Sequence, residues 1–170
     1  MNENLMALLN YRDAKAALIS EQINKYGKPI IAIRCNIPGP EKKAPWAEKL
    51  YKEALETVES ALERENIAYV SVLEVLSDRT IIPEYIQLFK VDADARTIKS
   101  LCVQIEELHP LGRIFDLDVY THLGTLSRIE YGGSDRLCYL CDNRAFECAR
   151  SREHSLEELI QFLILKAETL

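Results

Sequence analysis

An α+β fold with a βαββαβ core is what the sequence predicts, and two observations predict it. Short β-branched and aromatic runs alternate with longer segments whose apolar residues recur at helical spacing. These segments come in the order strand 29–36, helix 45–65, strand 67–75, strand 81–91, helix 92–108 and strand 112–120. That is the split βαβ, ferredoxin-like order, an antiparallel sheet with two helices on one face and its first and fourth strands side by side. An N-terminal helix, an added hairpin strand and a C-terminal helix complete one domain over residues 1–170.

The elements follow from local chemistry. Leu5, Leu8, Leu9, Leu18, Ile19 and Ile23 give residues 3–26 an apolar stripe, and Gly27 is placed to end that helix. Arg12-Asp13 reads as its solvated side. Pro29 to Asn36 is a nearly continuous apolar run, the signature of a central strand. Ile37-Pro38-Gly39-Pro40-Glu41-Lys42 must be a stiff loop, able to fix Asn36 and Lys42. From Pro45, tolerated in a first turn, Ala47, Leu50, Ala54, Val58 and Leu62 make the face of a second helix.

Ile67 to Val75 reads as a strand, Ser77-Asp78-Arg79 as a turn and 81–91 as the returning strand, with Pro83 near its start. Asp92 is an expected N-cap for the helix that follows. Its stripe of Ile98, Leu101, Cys102, Ile105 and Leu108 runs to His109-Pro110, so Cys102 is expected in the core. Thr125–Tyr131 is expected to return as a strand beside 112–120. Ser155 with Glu158 forms a capping box for the last helix.

Composition narrows the function. A net charge of -6 argues against a general basic nucleic-acid surface. No apolar run approaches a membrane span, and Met1 to Leu9 lacks the basic start of a signal peptide, so a cytoplasmic protein is expected. Five cysteines in a reducing compartment favour metal or bland thiol roles over disulfides. Between Lys99 and Lys166 every basic residue other than histidine is arginine, six in all, from Arg113 to Arg152. Arginine's planar fork grips phosphate with paired hydrogen bonds, although these charges could equally balance nearby acids.

Three constellations carry chemistry. Asp116 and Asp118 sit two apart on a strand and so share one face with Ile114 and Tyr120. Such carboxylates repel, and are kept either as a solvated pair or for a hard cation such as Mg2+ shared with a substrate phosphate. Cys138-x2-Cys141-x6-Cys148-x5-His154 offers four ligands for tetrahedral Zn2+, against unligated thiols or a redox pair. His109 is placed either to cap a helix end or to act as a base near Asp116.

Asn36-Ile37-Pro38-Gly39-Pro40-Glu41-Lys42, His109-Pro110-Leu111-Gly112-Arg113-x-x-Asp116-x-Asp118-Val119, Leu126-Ser127-Arg128, Cys138-x-Leu140-Cys141 and Cys148-Ala149-Arg150 together resemble the holo-citrate lyase synthase family. These are the apo-citrate lyase phosphoribosyl-dephospho-CoA transferases, and the resemblance runs from about Arg12 to the last helix. It implies a single nucleotidyltransferase-type domain. A serine of the acyl-carrier subunit of citrate lyase would attack 2'-(5''-triphosphoribosyl)-3'-dephospho-CoA and release diphosphate. The reading of the residues fits that chemistry, with Asp116, Asp118 and His109 expected as catalytic residues and Asp116 and Asp118 holding Mg2+. Asn36, Lys42, Gly112, Arg113, Arg128 and Arg150 would bind substrate. Neither nucleic acid nor membrane is expected as a partner. Arg113 departs from wider nucleotidyltransferases, many of which carry serine after the glycine, so either backbone amides or Arg113 could hold the phosphates. The competing reading is a non-catalytic, zinc-stabilised ferredoxin-like module binding a phosphorylated ligand or RNA. An RNA-binding sheet would show exposed aromatics where strand 112–120 carries aspartates.

Overall fold

A computed structural model describes residues 3–72 and 84–170. Its elements are α1 (Glu3–Tyr26), β1 (Ile30–Cys35), α2 (Pro45–Arg64), β2 (Tyr69–Ser71), β3 (Gln87–Val91), α3 (Ala95–Leu108), β4 (Phe115–Thr121), β5 (Gly124–Thr125), α4 (Ala145–Ser151) and α5 (Leu156–Ala167). The five strands form one antiparallel sheet in the order β2-β3-β1-β4-β5. The βαββαβ order is therefore present, and β1 lies directly beside β4 as the sequence predicts.

The sheet has a core on each face. Ile31 and Ile33 of β1, Phe89 and Val91 of β3, and Phe115, Leu117 and Val119 of β4 point one way. They meet the apolar stripes of α2 and α3, with Leu163 and Ala167 of α5 joining them. The alternate residues Ile30, Ala32 and Leu88 point the other way and are covered by Leu18, Ile19 and Ile23 of α1. Cys102 is buried in the α2/α3 layer, as its stripe implies. Pro45 opens α2, and Gly27 ends α1 with a positive φ of 62°, a conformation that suits a residue without a Cβ. The Ser155 capping box opens α5 as expected.

Three expectations change. The N-cap of α3 is Asp94, whose carboxylate accepts from the amides of Arg96 and Thr97. Asp92, the expected cap, instead pairs with Lys28. β4 starts at Phe115, because 110–114 is a turn. The returning strand is only Gly124–Thr125, and Ile129–Tyr131 is a 3-10 turn. Its departure from the sheet is fixed by Arg128, which donates to the Ser134 carbonyl at 2.6 Å and to Glu107 at 2.7 Å. The strand pair read at 67–75 and 81–91 is described only as β2, β3 and their flanks, and the expected turn at 77–79 lies outside the described residues.

Among the described residues no strand neighbours the outer edge of β4 beyond β5, and at Leu117 side chains take a strand's place. The Leu117 amide donates to Glu106 at 2.9 Å, and buried Lys99 donates to the Leu117 carbonyl at 3.1 Å. Both side chains come from α3, which packs along that edge. Among the described residues, no helix is long and apolar enough to cross a membrane.

Candidate functional site

The paired aspartates sit where period two puts them, half-buried on the α1 side of β4. Arg34 on β1 is the direct cross-strand partner of Asp116, and small Ala32 is the partner of Asp118. The Arg34 guanidinium can therefore lean across the alanine and bond both acids. Its Nη2 lies 2.6 Å from Asp116 and 2.7 Å from Asp118. Glu84 stands 3.7 Å from Arg34 Nη1, accepts from the Tyr11 hydroxyl at 2.8 Å and lies 3.5 Å from Lys15. The N-terminal helix thus closes a polar cluster over the acid pair.

A second arginine reaches the pair around the sheet edge. Arg136 donates from Nη1 to Asp116 at 2.9 Å and from Nη2 to Glu106 at 2.7 Å. Burial alone would raise the Asp116 pKa, but Arg34 and then Arg136 outweigh it and hold the carboxyl below the usual range. The Arg34 guanidinium is driven the other way. Burial opposes its charge, while Asp116, Glu84 and Asp118 raise its pKa. For Glu106, burial prevails over Arg136 and Arg128, so its pKa is raised.

Beside this edge is a cavity of about 480 Å³ lined by Gly112, Arg113, Arg128, Ser134, Arg136 and the segment Leu137–Asp142, among others. Gly112 makes its floor. A Cβ there would lie 2.5 Å from the carbonyl oxygens of both Ile105 and Glu106, so only glycine lets the turn press onto the end of α3. The amides of Gly112, Ile114 and Phe115 are consumed within the turn, bonding His109, Leu111 and Gly112 carbonyls. Those three amides are therefore not free to take an anion, which leaves the side chain of Arg113 as one candidate. Its Nε bonds the Leu137 carbonyl and its guanidinium lies 4.6 Å above the Tyr139 ring, while buried Nη1 finds no acceptor among the described residues.

The remaining predicted residues are distributed unevenly. His109 caps α3, accepts from the Leu111 amide at 3.1 Å, stacks on Phe115 and stands 3.4 Å from Glu53. It lies on the α2/α3 side of the sheet, where it ends α3 away from Asp116, and it also lines the cavity beside Gly112 and Arg113. Asn36 is exposed, and its carbonyl accepts from the Tyr139 hydroxyl. Lys42 turns back to the Ile37 carbonyl at 3.2 Å. Arg128 lines the cavity but is held by Glu106, Glu107 and Ser134. Arg150 is exposed on α4, over the Phe146 ring, and does not line the cavity.

Cys138, Cys141, Cys148 and His154 converge. Their donor atoms all lie within 4.8 Å of one another, an arrangement able to hold a metal ion. Burial raises the Cys138 pKa, but the Leu140 and Cys141 amides and the neighbouring thiols outweigh it and bring it to about 7. The thiolate, the form that binds metals, is thereby accessible near neutrality.

The residues that sequence reasoning missed are mostly the partners. Arg34 was legible in principle, since pairing β1 with β4 sets it opposite Asp116. Arg136 lay within the arginine-only interval, but its reach to Asp116 depends on a loop that periodicity does not place. Tyr11, Lys15, Glu84 and Glu106 carried no motif.

Comparison with known proteins agrees with the residue pattern. A family model described as apo-citrate lyase phosphoribosyl-dephospho-CoA transferase matches residues 3–168. Protein CitXG of Haemophilus influenzae is 34% identical over 158 residues, which cover 92% of this chain and 33% of that protein. The chain thus spans only about a third of that relative. Apo-citrate lyase phosphoribosyl-dephospho-CoA transferases of Escherichia coli O1:K1 and of Citrobacter koseri are each 28% identical over 154 residues, covering 90% of this chain and 82% of theirs.

Proposed function

The chain belongs to the apo-citrate lyase phosphoribosyl-dephospho-CoA transferase family, and on that premise we propose the reaction it performs and the residues that carry it. It is a transferase. The group moved is the phosphoribosyl-dephospho-CoA moiety of 2'-(5''-triphosphoribosyl)-3'-dephospho-CoA, and the acceptor is a serine hydroxyl on the acyl-carrier subunit of citrate lyase. The serine oxygen bonds to the phosphorus next to the ribose, the bond from that phosphorus to the bridging oxygen breaks, and diphosphate leaves. The serine proton passes to solvent or to a base, and a phosphodiester remains.

The observation that carries the residue assignment is the junction made by Arg136. One guanidinium joins Asp116 to the wall of a cavity that also holds Arg113 and Arg128. Arg113, with an unpartnered buried Nη1, grips the leaving diphosphate. Arg136 stands between that phosphate and the acid pair. Arg128 orders the wall through Glu107 and Ser134. Asn36 and Lys42 border the same end of the sheet and bind the substrate beyond its phosphates.

The donor set at Asp116 and Asp118 fits a hard cation. It is all oxygen, and a single Arg34 nitrogen already reaches both carboxylates, so one positive centre can bridge them. These aspartates would hold Mg2+, which when bound draws charge from the reacting phosphates and the departing diphosphate. Arg34 and Arg136 orient the two carboxylates. The Cys138, Cys141, Cys148 and His154 group would hold Zn2+ as a closed structural centre. The reaction takes place in the cytoplasm.

Transfer to apo-acyl-carrier protein with Mg2+ present tests the assignment in Asp116→Asn and Asp118→Asn. Loss of at least a hundredfold in kcat/KM is expected in each. Near-normal rates in both would remove the metal-carboxylate proposal.

A further inference from the structure

We infer that a metal at Cys138, Cys141, Cys148 and His154 holds the wall of the arginine-lined cavity in place, so that its occupancy sets how tightly that cavity takes a diphosphate group. The inference rests on the proposed role of the cavity and on zinc at this cluster.

The cluster is already spaced for a metal. The Cys138 and Cys148 sulfurs are 3.4 Å apart, and His154 Nδ1 lies 3.1 Å from Cys148 and 3.6 Å from Cys138. Tetrahedral zinc with bonds of about 2.3 Å to sulfur and 2.0–2.1 Å to nitrogen separates its ligands by roughly 3.5–3.8 Å. Small adjustments therefore suffice. Three thiolates and an imidazole fill four positions and leave none open, the pattern of a structural rather than a catalytic site.

The backbone around the cluster is built to present these ligands. The Cys138 amide bonds the Asn143 carbonyl at 2.8 Å, and the Ala145 amide bonds Arg136 at 2.7 Å, closing a tight hairpin. Cys148 follows on α4, which ends at Arg152 in a left-handed turn (φ 53°) that brings His154 back. Apolar packing does little to hold this region, since Leu137, Leu140 and Phe146 are all substantially exposed. A segment with so little core of its own needs a staple.

The staple and the cavity wall meet in the six residues 136–141, which hold two of the four ligands. Arg136 bonds Asp116 and Glu106. Leu137 offers its carbonyl to Arg113. Cys138 is a ligand. Tyr139 bonds the Asn36 carbonyl, lies under Arg113 and stacks on Phe162 of α5. Leu140 lines the cavity and Cys141 is a ligand. Fixing Cys138 and Cys141 fixes Tyr139 between them, and with it the position of the Arg113 guanidinium.

The test uses the full chain and inorganic diphosphate as the probe. As purified with zinc, the protein should carry one zinc per chain by elemental analysis and bind diphosphate by calorimetry. Stripping under reducing conditions, or His154→Ala, should weaken diphosphate binding about tenfold or more, a size usual for residues that orient a metal-linked site. Zinc should restore the stripped protein. His154→Cys, which keeps four ligands, should retain both metal and diphosphate. Arg113→Ala should keep zinc and lose diphosphate. If the protein holds no metal, or if the metal-free and loaded forms bind diphosphate alike while Arg113→Ala does not, the coupling is overturned. If Arg113→Ala binds diphosphate like the parent, the cavity assignment itself fails, and the inference with it.

Discussion

Replacing Glu106 with alanine removes the hub of the polar network at the sheet edge. The side chain is only 3% exposed and accepts from the Leu117 amide at 2.9 Å and from Arg136 at 2.7 Å, with Arg128 Nε 3.3 Å away. Alanine leaves a buried amide without an acceptor, about 1–3 kcal/mol by itself. It also leaves two half-buried guanidinium groups short of a carboxylate, and breaking a buried pair from one side costs about 3–5 kcal/mol. The two penalties share groups and do not add, so a loss of about 3–5 kcal/mol is expected. Glu106→Gln keeps an acceptor for Leu117 and fills the same volume, so about 1–2 kcal/mol is expected there. Urea unfolding reads both. With a slope of about 2 kcal/mol/M, the alanine midpoint falls by roughly 1.5–2.5 M and the glutamine midpoint by less than 1 M. An alanine variant within 1 kcal/mol of the parent, or equal to the glutamine variant, would refute the hub.

Two further outcomes follow from geometry already described. Gly112→Ala drives a Cβ to 2.5 Å from two backbone carbonyl oxygens that no rotamer change relieves, so destabilisation of about 1–3 kcal/mol or more and a Tm lower by roughly 3–10 °C are expected in a thermal melt; an unchanged Tm would mean that the turn is not pressed onto α3. The Asp116 carboxyl is held below its usual range, so its contribution to stability is present above the unfolded value near ~3.9 and is lost as pH falls through the folded one. Asp116→Asn should flatten the acid limb of the stability curve below about pH 4, and superimposable limbs would remove the ion pairing with Arg34 and Arg136 as its cause.

Much of this architecture was readable because it depends on period alone. The alternation in β1 and β4 fixed which residues face α1, and therefore that Asp116 and Asp118 stand together on one side. The stripes of α2 and α3 fixed the opposite layer. What sequence could not supply were choices between equivalent local options. Asp92 and Asp94 are equally good caps, and a tertiary contact of Asp92 with Lys28 leaves Asp94 to cap. Thr125–Tyr131 has strand-like residues, but the anchoring of Arg128 on Glu107 and Ser134 turns the chain away. His109 could have faced either side of the sheet. Its stacking on Phe115, a core residue of the opposite layer, took it from the aspartates. The cysteine spacing identified all four members of the metal-ligand group, but their bearing on Arg113 appeared only with the placement of Tyr139 between two of them.

The capped edge of β4 also bears on how this protein can meet others. Sheet edges are where foreign strands add, whether in aggregation or in recognition of an extended peptide. At Leu117 an incoming strand would have to expel both Lys99 and Glu106, stripping two buried charges of their partners and parting Arg136 from Glu106. This edge is therefore closed to lateral growth, and the same residues that hold the site together act as a guard against misassembly.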